Sequence, residues 1–553
     1  MAIARRAASG TGPEATGETA ALTRGPVPDT GSSYEDLPAL LGRLSGDEKH
    51  DTSSYSTLDV LWVLYDRILD PERDRFLLSK GHGPAAYYAV LAAKGFFPAD
   101  WLDRFGEFES PLGNHPDRVL VPGVEISSGS LGHGLPIAVG VALGVALGTA
   151  SGTGPEEALD TAALTQRPVP DTVSVFCLVG DGELDEGSNW EAIQYAGRVG
   201  LDRLTAVVVD NASGDARMAG RDRGAFPDRG VERGSRGRSR PRRARARVPE
   251  RRHRPPARGR RGRADMTMRQ RFYELAAAAV RHDPRVAVVL ADIGVDSVGR
   301  HERVFNVGIR EQLMIGVAAG LALEGYRPVA HSYAPFLVER PYEQIKLDLG
   351  HQDLGAVLVS TGASYDASRE GRTHQSPGDV ALLSVLPGWT IHVPGHVAEL
   401  ERALASALRG DDRVYIRMSE EQNQLAVDGD GITVVRDGRG PLVLAVGPTL
   451  DPVLEATADL NVTVAYVSRV RPLDAVGLRA ALRGTDVVLV EPYAAATSSG
   501  VVADVLCDRP HRLLALGVRT PELRRYGSRA EHRGAHGLDA KGIRAALDAW
   551  APA

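Results

Sequence analysis

The sequence predicts an α/β protein of three doubly wound domains with a disordered Arg-rich insert. Three observations carry this expectation. Short apolar runs of strand length alternate with helix-like stretches along most of the chain. The chain has 553 residues, 43% of them apolar, enough for several buried cores. Only two cysteines occur, Cys177 and Cys507, which excludes a disulfide framework and a clustered thiolate metal site. The opening stretch MAIARRAASGTGPE has no apolar run after Arg5 and Arg6, so no secretory leader is expected there. The run Leu135 to Ala150 is glycine-interrupted and short of a membrane span, and reads as a buried helix. The expected class is a soluble cytoplasmic enzyme.

The elements follow in order. TVSVFCLVGDG (172–182) and LTAVVVDN (204–211) are continuous apolar runs, the pattern of parallel strands covered on both faces. NWEAIQYAGRVG between them has helical character. VAVVLADIG (286–294), PVAHSYA (328–334) and GAVLVSTG (355–362) are further buried strands. PLVLAVG (441–447), VTVAYV (462–467) and DVVLVEP (486–492) repeat the pattern. These runs define domains over 33–212, 266–425 and 430–553, preceded by a disordered tail over 1–32.

Two segments break the rhythm. ASGTGPEATGETAALTRGPVPDT (8–30) recurs as ASGTGPEEALDTAALTQRPVPDT (150–172). Two Pro- and Gly-rich copies are too few for a stacked solenoid and read as surface loop or a duplication. From Ser213 to Asp265 there are nineteen arginines, no lysine and six acids, a net +13. The chain totals −6, so its remainder stands at −19. The segment lacks aliphatic periodicity and is expected to be disordered. A nucleic-acid arm would interleave aromatic residues with the arginines; Phe226 is the single aromatic here, so nucleic acid is not an expected partner.

The chemistry starts at Gly180-Asp181-Gly182. An apolar strand ends at Asp181, and glycines on either side let backbone N–H groups approach an anion. Asn211 ends the following strand. A carboxylate and an amide oxygen at adjacent strand ends are hard ligands suited to Mg²⁺ or Ca²⁺ on a diphosphate.

GDGELDEGSNWEAIQYAGRVGLDRLTAVVVDN resembles the diphosphate-binding motif of the thiamine-diphosphate-dependent transketolase family. The resemblance implies that Gly180, Asp181 and Gly182 bind the cofactor. It also implies that Asp181, Asn211 and the Ser213 carbonyl hold the metal. Upstream, Ser79-Lys80-Gly81-His82-Gly83 resembles the family's GHG turn, and Gly113-Asn114-His115-Pro116 its GHP segment. Each histidine alone reads as an ordinary core or surface residue. In this ordered set His82 and His115 are implied at the cofactor and the substrate hydroxyls. Gly123-Val124-Glu125 through Gly129-Ser130-Leu131-Gly132-His133-Gly134 resembles the GVE…LGQG run. There Gly129 and Leu131 would hold the cofactor through backbone contacts, with His133 on the substrate side.

The second domain carries the other half. Phe305 to Gln312, read FNVGIREQ, resembles the family's GIREQ motif. Alone, Glu311 is a carboxylate favoured at a helix N-terminus. By resemblance it gives a proton to N1′ of the aminopyrimidine, after which the cofactor forms its ylid. Tyr333-Ala334-Pro335-Phe336 resembles the segment whose Phe stacks on that ring, although Phe336 alone would pass for core packing. Gly371-Arg372-Thr373-His374-Gln375 resembles the turn whose His contacts the donor sugar. Glu370 stands where the family often has Asp, and Asp292 matches the Asp of its SADL segment. The third domain resembles the family's mainly structural C-terminal domain.

The resemblance implies transfer of a two-carbon ketol unit from a ketose (phosphate) to an aldose (phosphate), with active sites at a homodimer interface. Alternatives are a 1-deoxyxylulose-5-phosphate synthase-like or 2-oxo-acid-processing enzyme of the same cofactor. Two departures stand out. The Arg-rich segment sits where the family continues the diphosphate domain, as a GC-rich gene read out of frame would give. A frameshift that also fused two subunit genes, leaving a catalytically impaired product, is therefore a further reading. The family's phosphate-binding Arg aligns at Ser419, with Arg417 offset beside it.

Overall fold

The computed structural model describes residues 30–44, 51–150, 173–210, 266–519 and 523–550. The expectations for the N-terminal tail, nearly all of both repeat copies, the Arg-rich segment, Asn211 and Ser213 lie outside the described residues. No helix among the described residues is long and apolar enough to cross a membrane.

The first sheet holds β1 (Arg75–Leu78), β2 (Val175–Gly180) and β3 (Leu204–Val209), all parallel, in the order β1-β2-β3. Side chains alternate across it, as pleating requires. Phe76, Leu78 and Leu178 join a core with helices α1 (Asp51–Val63) and α2 (Ala85–Ala93). Leu77, Val175, Cys177 and Val179 join the opposite core with α3 (Gly134–Ala150) and α4 (Gly187–Val199). The central strand β2 is covered on both faces, which is why it reads as an unbroken apolar run. β3 departs from that expectation: among the described residues it stands at the sheet edge, with Thr205, Ala206 and Val208 exposed. β1 escapes the sequence pattern because only its three residues Phe76–Leu78 are apolar.

The second sheet contains β4 (Val286–Leu290), β5 (Val304–Asn306), β6 (Arg327–Tyr333), β7 (Ala356–Thr361), β8 (Trp389–His392) and β9 (Arg413–Arg417). The third contains β10 (Thr433–Arg436), β11 (Leu442–Val446), β12 (Thr463–Val467), β14 (Asp486–Ala494) and β15 (Arg512–Val518). Strand β13 (Arg469–Arg471) follows β12 in sequence but pairs antiparallel with β8. The orders are β13-β8-β9-β7-β6-β4-β5 and β10-β12-β11-β14-β15. Among the described residues, strands pair antiparallel only at β13 and β10, each an edge strand. Helices α5 (Met268–His282) and α7 (Val397–Arg409) cover one face of the second sheet; α6 (Glu311–Leu323) covers the other.

Helices α3 and α6 cross at glycine. A Cβ added to Gly320 would stand 2.5 Å from the Val141 nitrogen and 2.7 Å from the Gly140 carbonyl carbon. One on Gly316 would stand 2.5 Å from Pro136 Cβ. The four glycines 140, 144, 316 and 320 sit four apart on each helix, on one face of each. Backbone therefore packs against backbone, and one apolar core runs from the first sheet through the crossing into the second and third. The seam is finished by Arg75, whose Nε and Nη2 donate to Glu324 at 2.8 and 3.2 Å.

Gly320→Leu has nowhere to place its side chain without parting the helices. Overpacking of this kind costs about 3 kcal/mol, so scanning calorimetry should show the melting temperature falling by roughly 5 °C or more, or no folded protein. An unchanged melting temperature would show that the crossing is not under the constraint described.

Candidate functional site

Four of the sequence motifs converge at the C-terminal ends of β1 and β2, where open parallel sheets place their ligand crevices. The loop Ser79–Gly83 leaves β1, and Ser79 and Lys80 both donate backbone N–H to Leu178 O, at 2.9 and 3.1 Å. Gly180-Asp181-Gly182 leaves β2, with the Asp181 N–H bonded to Val209 O at 3.1 Å. A Cβ on Gly81 would stand 2.5 Å from the Gly129 nitrogen, so the first and third motifs touch along bare backbone. Gly129, at φ 147°, presses against the His115 ring. The His82 and His115 rings meet edge to face, centroids 5.1 Å apart. Tyr88 holds the second motif by donating its hydroxyl to the carbonyls of Gly113 and His115, at 3.0 and 3.2 Å.

One residue without an assigned role ties these loops together. Glu183, 2% exposed, accepts from Ser79 Oγ, from Gly132 N at 3.0 Å and from Gly180 N at 3.3 Å. Burial raises its pKa despite these bonds. Lys80 is buried beside Gly180; burial lowers its pKa against the pull of Asp181 and Glu183. Among the described residues no group of three or more His, Cys, Asp and Glu side chains could hold a metal ion. Asp181 is the candidate metal ligand within them; Asn211 and Ser213 lie outside.

His133 does not stay with this cluster. It is buried, and its Nδ1 lies 2.6 Å from Asp348 Oδ1 in the second block. Burial is the largest influence and opposes the charged ring, but the Asp348 bond together with the charges of Asp348, Glu343 and Glu183 raises the pKa. Ser130 Oγ donates to Glu343 Oε1 at 2.7 Å, and Gln352 exchanges two bonds with the Ser127 backbone, at 2.6 and 2.8 Å. The Gly129–Gly134 motif is thus also a seam between blocks. Leu131 lies within it.

The second grouping starts at Glu311, the first residue of α6. Its buried carboxylate accepts from Arg340 Nη1 at 2.6 Å. The Arg340 guanidinium lies 4.3 Å from the Phe336 ring centroid. Phe336 meets His374 at 5.0 Å, and Tyr333 meets both rings at 6.2 and 5.6 Å. Glu311, Phe336 and His374, distant in sequence, thus form one chain of contacts. Arg340 was not singled out, because nothing in its local sequence distinguishes it from a surface arginine. Glu191 of α4 accepts from Leu313 N at 3.2 Å, and Gln194 accepts from Arg310 Nη2 at 3.1 Å, so the two groupings meet along α4. Asp292 adopts φ 62° and exchanges two 3.0 Å bonds with Asn306. Glu370 is exposed, one residue before the turn that presents His374.

Arg417 is 1% exposed and donates to Asp379 Oδ2 at 2.8 Å and Ser364 Oγ at 2.6 Å. Its guanidinium is enclosed by protein. Ser419 Oγ donates to Asp366 Oδ1 at 3.2 Å. Asp366 is buried, and desolvation, reinforced by Glu421, pushes its pKa up to about 7.

Two family models match the chain: "Transketolase, thiamine diphosphate binding domain" over residues 53–224 and "Transketolase, pyrimidine binding domain" over 264–424. An uncharacterized 33.6 kDa protein in the fasciation locus of Rhodococcoides fascians is 50% identical over 285 residues, covering 50% of this chain and 91% of that protein. A 1-deoxy-D-xylulose-5-phosphate synthase of Thioalkalivibrio sulfidiphilus is 32% identical over 259 residues, which span 45% of this chain and just 40% of that relative. Transketolase from Leishmania mexicana superposes with a TM-score of 0.67 at 17% identity, covering 93% of this chain and 96% of that one, a likeness of fold.

The buried acid has a measurable consequence. An ordinary Asp titrates near 3.9, so the folded form keeps a proton on Asp366 that the unfolded chain releases between about pH 4 and 7. Its contribution therefore weakens as pH rises through that window and is flat above it. Asp366→Asn should melt closer to the same temperature at pH 5 and pH 7.5, whereas the parent falls. Glu491, likewise pushed to about 7 by burial, preserves part of the slope. Equal slopes in calorimetry for parent and variant would remove Asp366 from this role.

Proposed function

The chain belongs to the transketolase family of thiamine-diphosphate-dependent enzymes, and from that premise we propose that it transfers a two-carbon ketol unit from a ketose to an aldose. The observation that supports this best is the contact chain Glu311–Arg340–Phe336–His374, together with the Ser79, Gly129 and Gly180 loops gathered on Glu183. The residues fit the cofactor. Gly81 brings its loop directly onto the Gly129 backbone, which gathers main-chain groups of both motifs at one place, and Lys80 sets a buried cation beside Gly180 and Asp181. That combination suits a diphosphate.

In this reading Gly129, Leu131, Gly180 and Gly182 hold the diphosphate through backbone groups. Asp181, with Asn211 and the Ser213 carbonyl, holds Mg²⁺ or Ca²⁺. Asp292 supports the cofactor side of the second block. When bound, thiamine diphosphate supplies a nucleophilic thiazolium carbon able to hold the electron pair of a broken carbon–carbon bond. Glu311 moves a proton at N1′ of the aminopyrimidine, and Phe336 stacks on that ring. His82, His115 and His374 orient the sugar hydroxyls and exchange their protons. His133 and Glu370 border the substrate, His133 through its place on the loop that also carries Gly129. Arg417 is enclosed and Ser419 has no charge, so these two positions lend a substrate phosphate no guanidinium. We place the active sites at a homodimer interface. The support is Ile309, 71% exposed two residues before Glu311, and the exposed Trp190 and Ile193 on α4, an apolar surface next to the proton donor.

Calorimetry should show binding of thiamine diphosphate that requires Mg²⁺, with turnover of a donor ketose. Glu311→Ala should keep the cofactor yet lose about a hundredfold or more in kcat. Absence of binding would overturn the cofactor reading; undiminished turnover in the variant would overturn the role of Glu311.

A further inference from the structure

Arg340 links that contact chain but carries no role of its own in the scheme above, and it touches two residues that do. Its Nη1 lies 2.6 Å from Glu311 Oε2, and its guanidinium stacks 4.3 Å from the centre of Phe336. The backbone explains how one side chain reaches both. Residues Pro335–Glu339 form a wide turn, closed by the Arg340 N–H on Pro335 O at 3.0 Å. The turn carries Phe336 and Arg340 on the same stretch, facing the start of α6. The neighbouring cation, Arg310, is engaged elsewhere, its Nη1 on Val307 O at 2.8 Å and its Nη2 on Gln194 at 3.1 Å. Glu191, the other acid beside Glu311, is occupied by the Leu313 N–H.

A planar guanidinium can bind a carboxylate edge-on and an aromatic face at once, which a lysine ammonium cannot do with the same rigidity. We propose that Arg340 is a positioning residue that locks the Glu311 carboxylate and the Phe336 ring into one unit. The proton donor and the stacking face then meet the aminopyrimidine ring in register. The proposal rests on the reading of Glu311 and Phe336 given above. Arg340 does not itself exchange a proton. It acts through the aim of Glu311, and small errors of aim are costly in catalysis.

The test uses the full-length chain with thiamine diphosphate and Mg²⁺ as probes. Two quantities are read: the cofactor dissociation constant by calorimetry, and the rate of hydrogen–deuterium exchange at the cofactor's thiazolium C2, followed by NMR at saturation. For Arg340→Met, exchange should slow about tenfold or more, while the dissociation constant rises only about threefold from loss of the stack. Arg340→Lys should recover part of the exchange rate and little of the affinity. Arg340 is 39% exposed in its side chain, so both variants should fold; should Met fail, the Lys variant still has to exchange more slowly than the parent. Parental exchange rates at saturation in a folded variant would overturn the proposal and leave the cofactor reading standing. A parent chain that neither binds the cofactor nor exchanges its C2 proton would overturn that reading and the role of Arg340 with it.

Discussion

Everything at the site depends on how closely α3 and α6 approach. Both helices start at chemistry: α3 at Gly134, directly after the Gly129–His133 motif, and α6 at Glu311. Because Gly140 and Gly320 let backbone meet backbone, the distance between those two helix starts is set by main-chain contact. Main-chain spacing is stiffer than side-chain spacing, since no rotamer can adjust it. The contacts His133–Asp348 and Glu191–Leu313 then act as stays on either side of the crossing.

Around this frame the molecule buries several ionisable groups. Glu183, Asp348, Asp366, Asp379, Arg417 and Glu491 are all inside. Such groups are costly unless they are bonded, and each here bonds to segments beyond its own turn of chain. Glu183 is the clearest case. A carboxylate can collect several N–H and O–H donors at once, and it gathers loops that follow two different strands. Arg417 serves the same end between the second and third sheets, joining Asp379 and Ser364 while its guanidinium lies over Tyr493.

Much of this was legible in advance. The buried strands β2, β4, β6, β7, β11, β12 and β14 showed themselves because parallel strands covered on both faces become unbroken apolar runs; β3 has the same run of residues but lies half-exposed at a sheet edge. β1 and β9 did not, for opposite reasons. β1 has too few residues to form a pattern, and β9 carries arginines at both ends that find buried or paired positions only in the folded state. β13 was hidden because its partner β8 lies in another block. At the site, the glycine and histidine motifs could be read locally. Glu183, Asp348 and Arg340 could not, since their meaning comes from partners 51, 215 and 29 positions away. Arg417 shows the limit in the other direction: its position in sequence pointed to phosphate, and its burial directs it to Asp379.

The glycine crossing also imposes an order on biosynthesis. Helix α3 is apolar around nearly its whole circumference, and its partner surface is complete only once Leu323 has left the ribosome. At the usual elongation rate of about 5–20 residues per second, the gap between the two helices takes on the order of ten seconds or more to translate. Throughout that interval the first block holds an unmatched greasy ridge. A nascent chain in this condition is a client for a holding chaperone. A cell that split the two halves onto separate polypeptides would have to bring them together by diffusion before either half could be rid of that ridge.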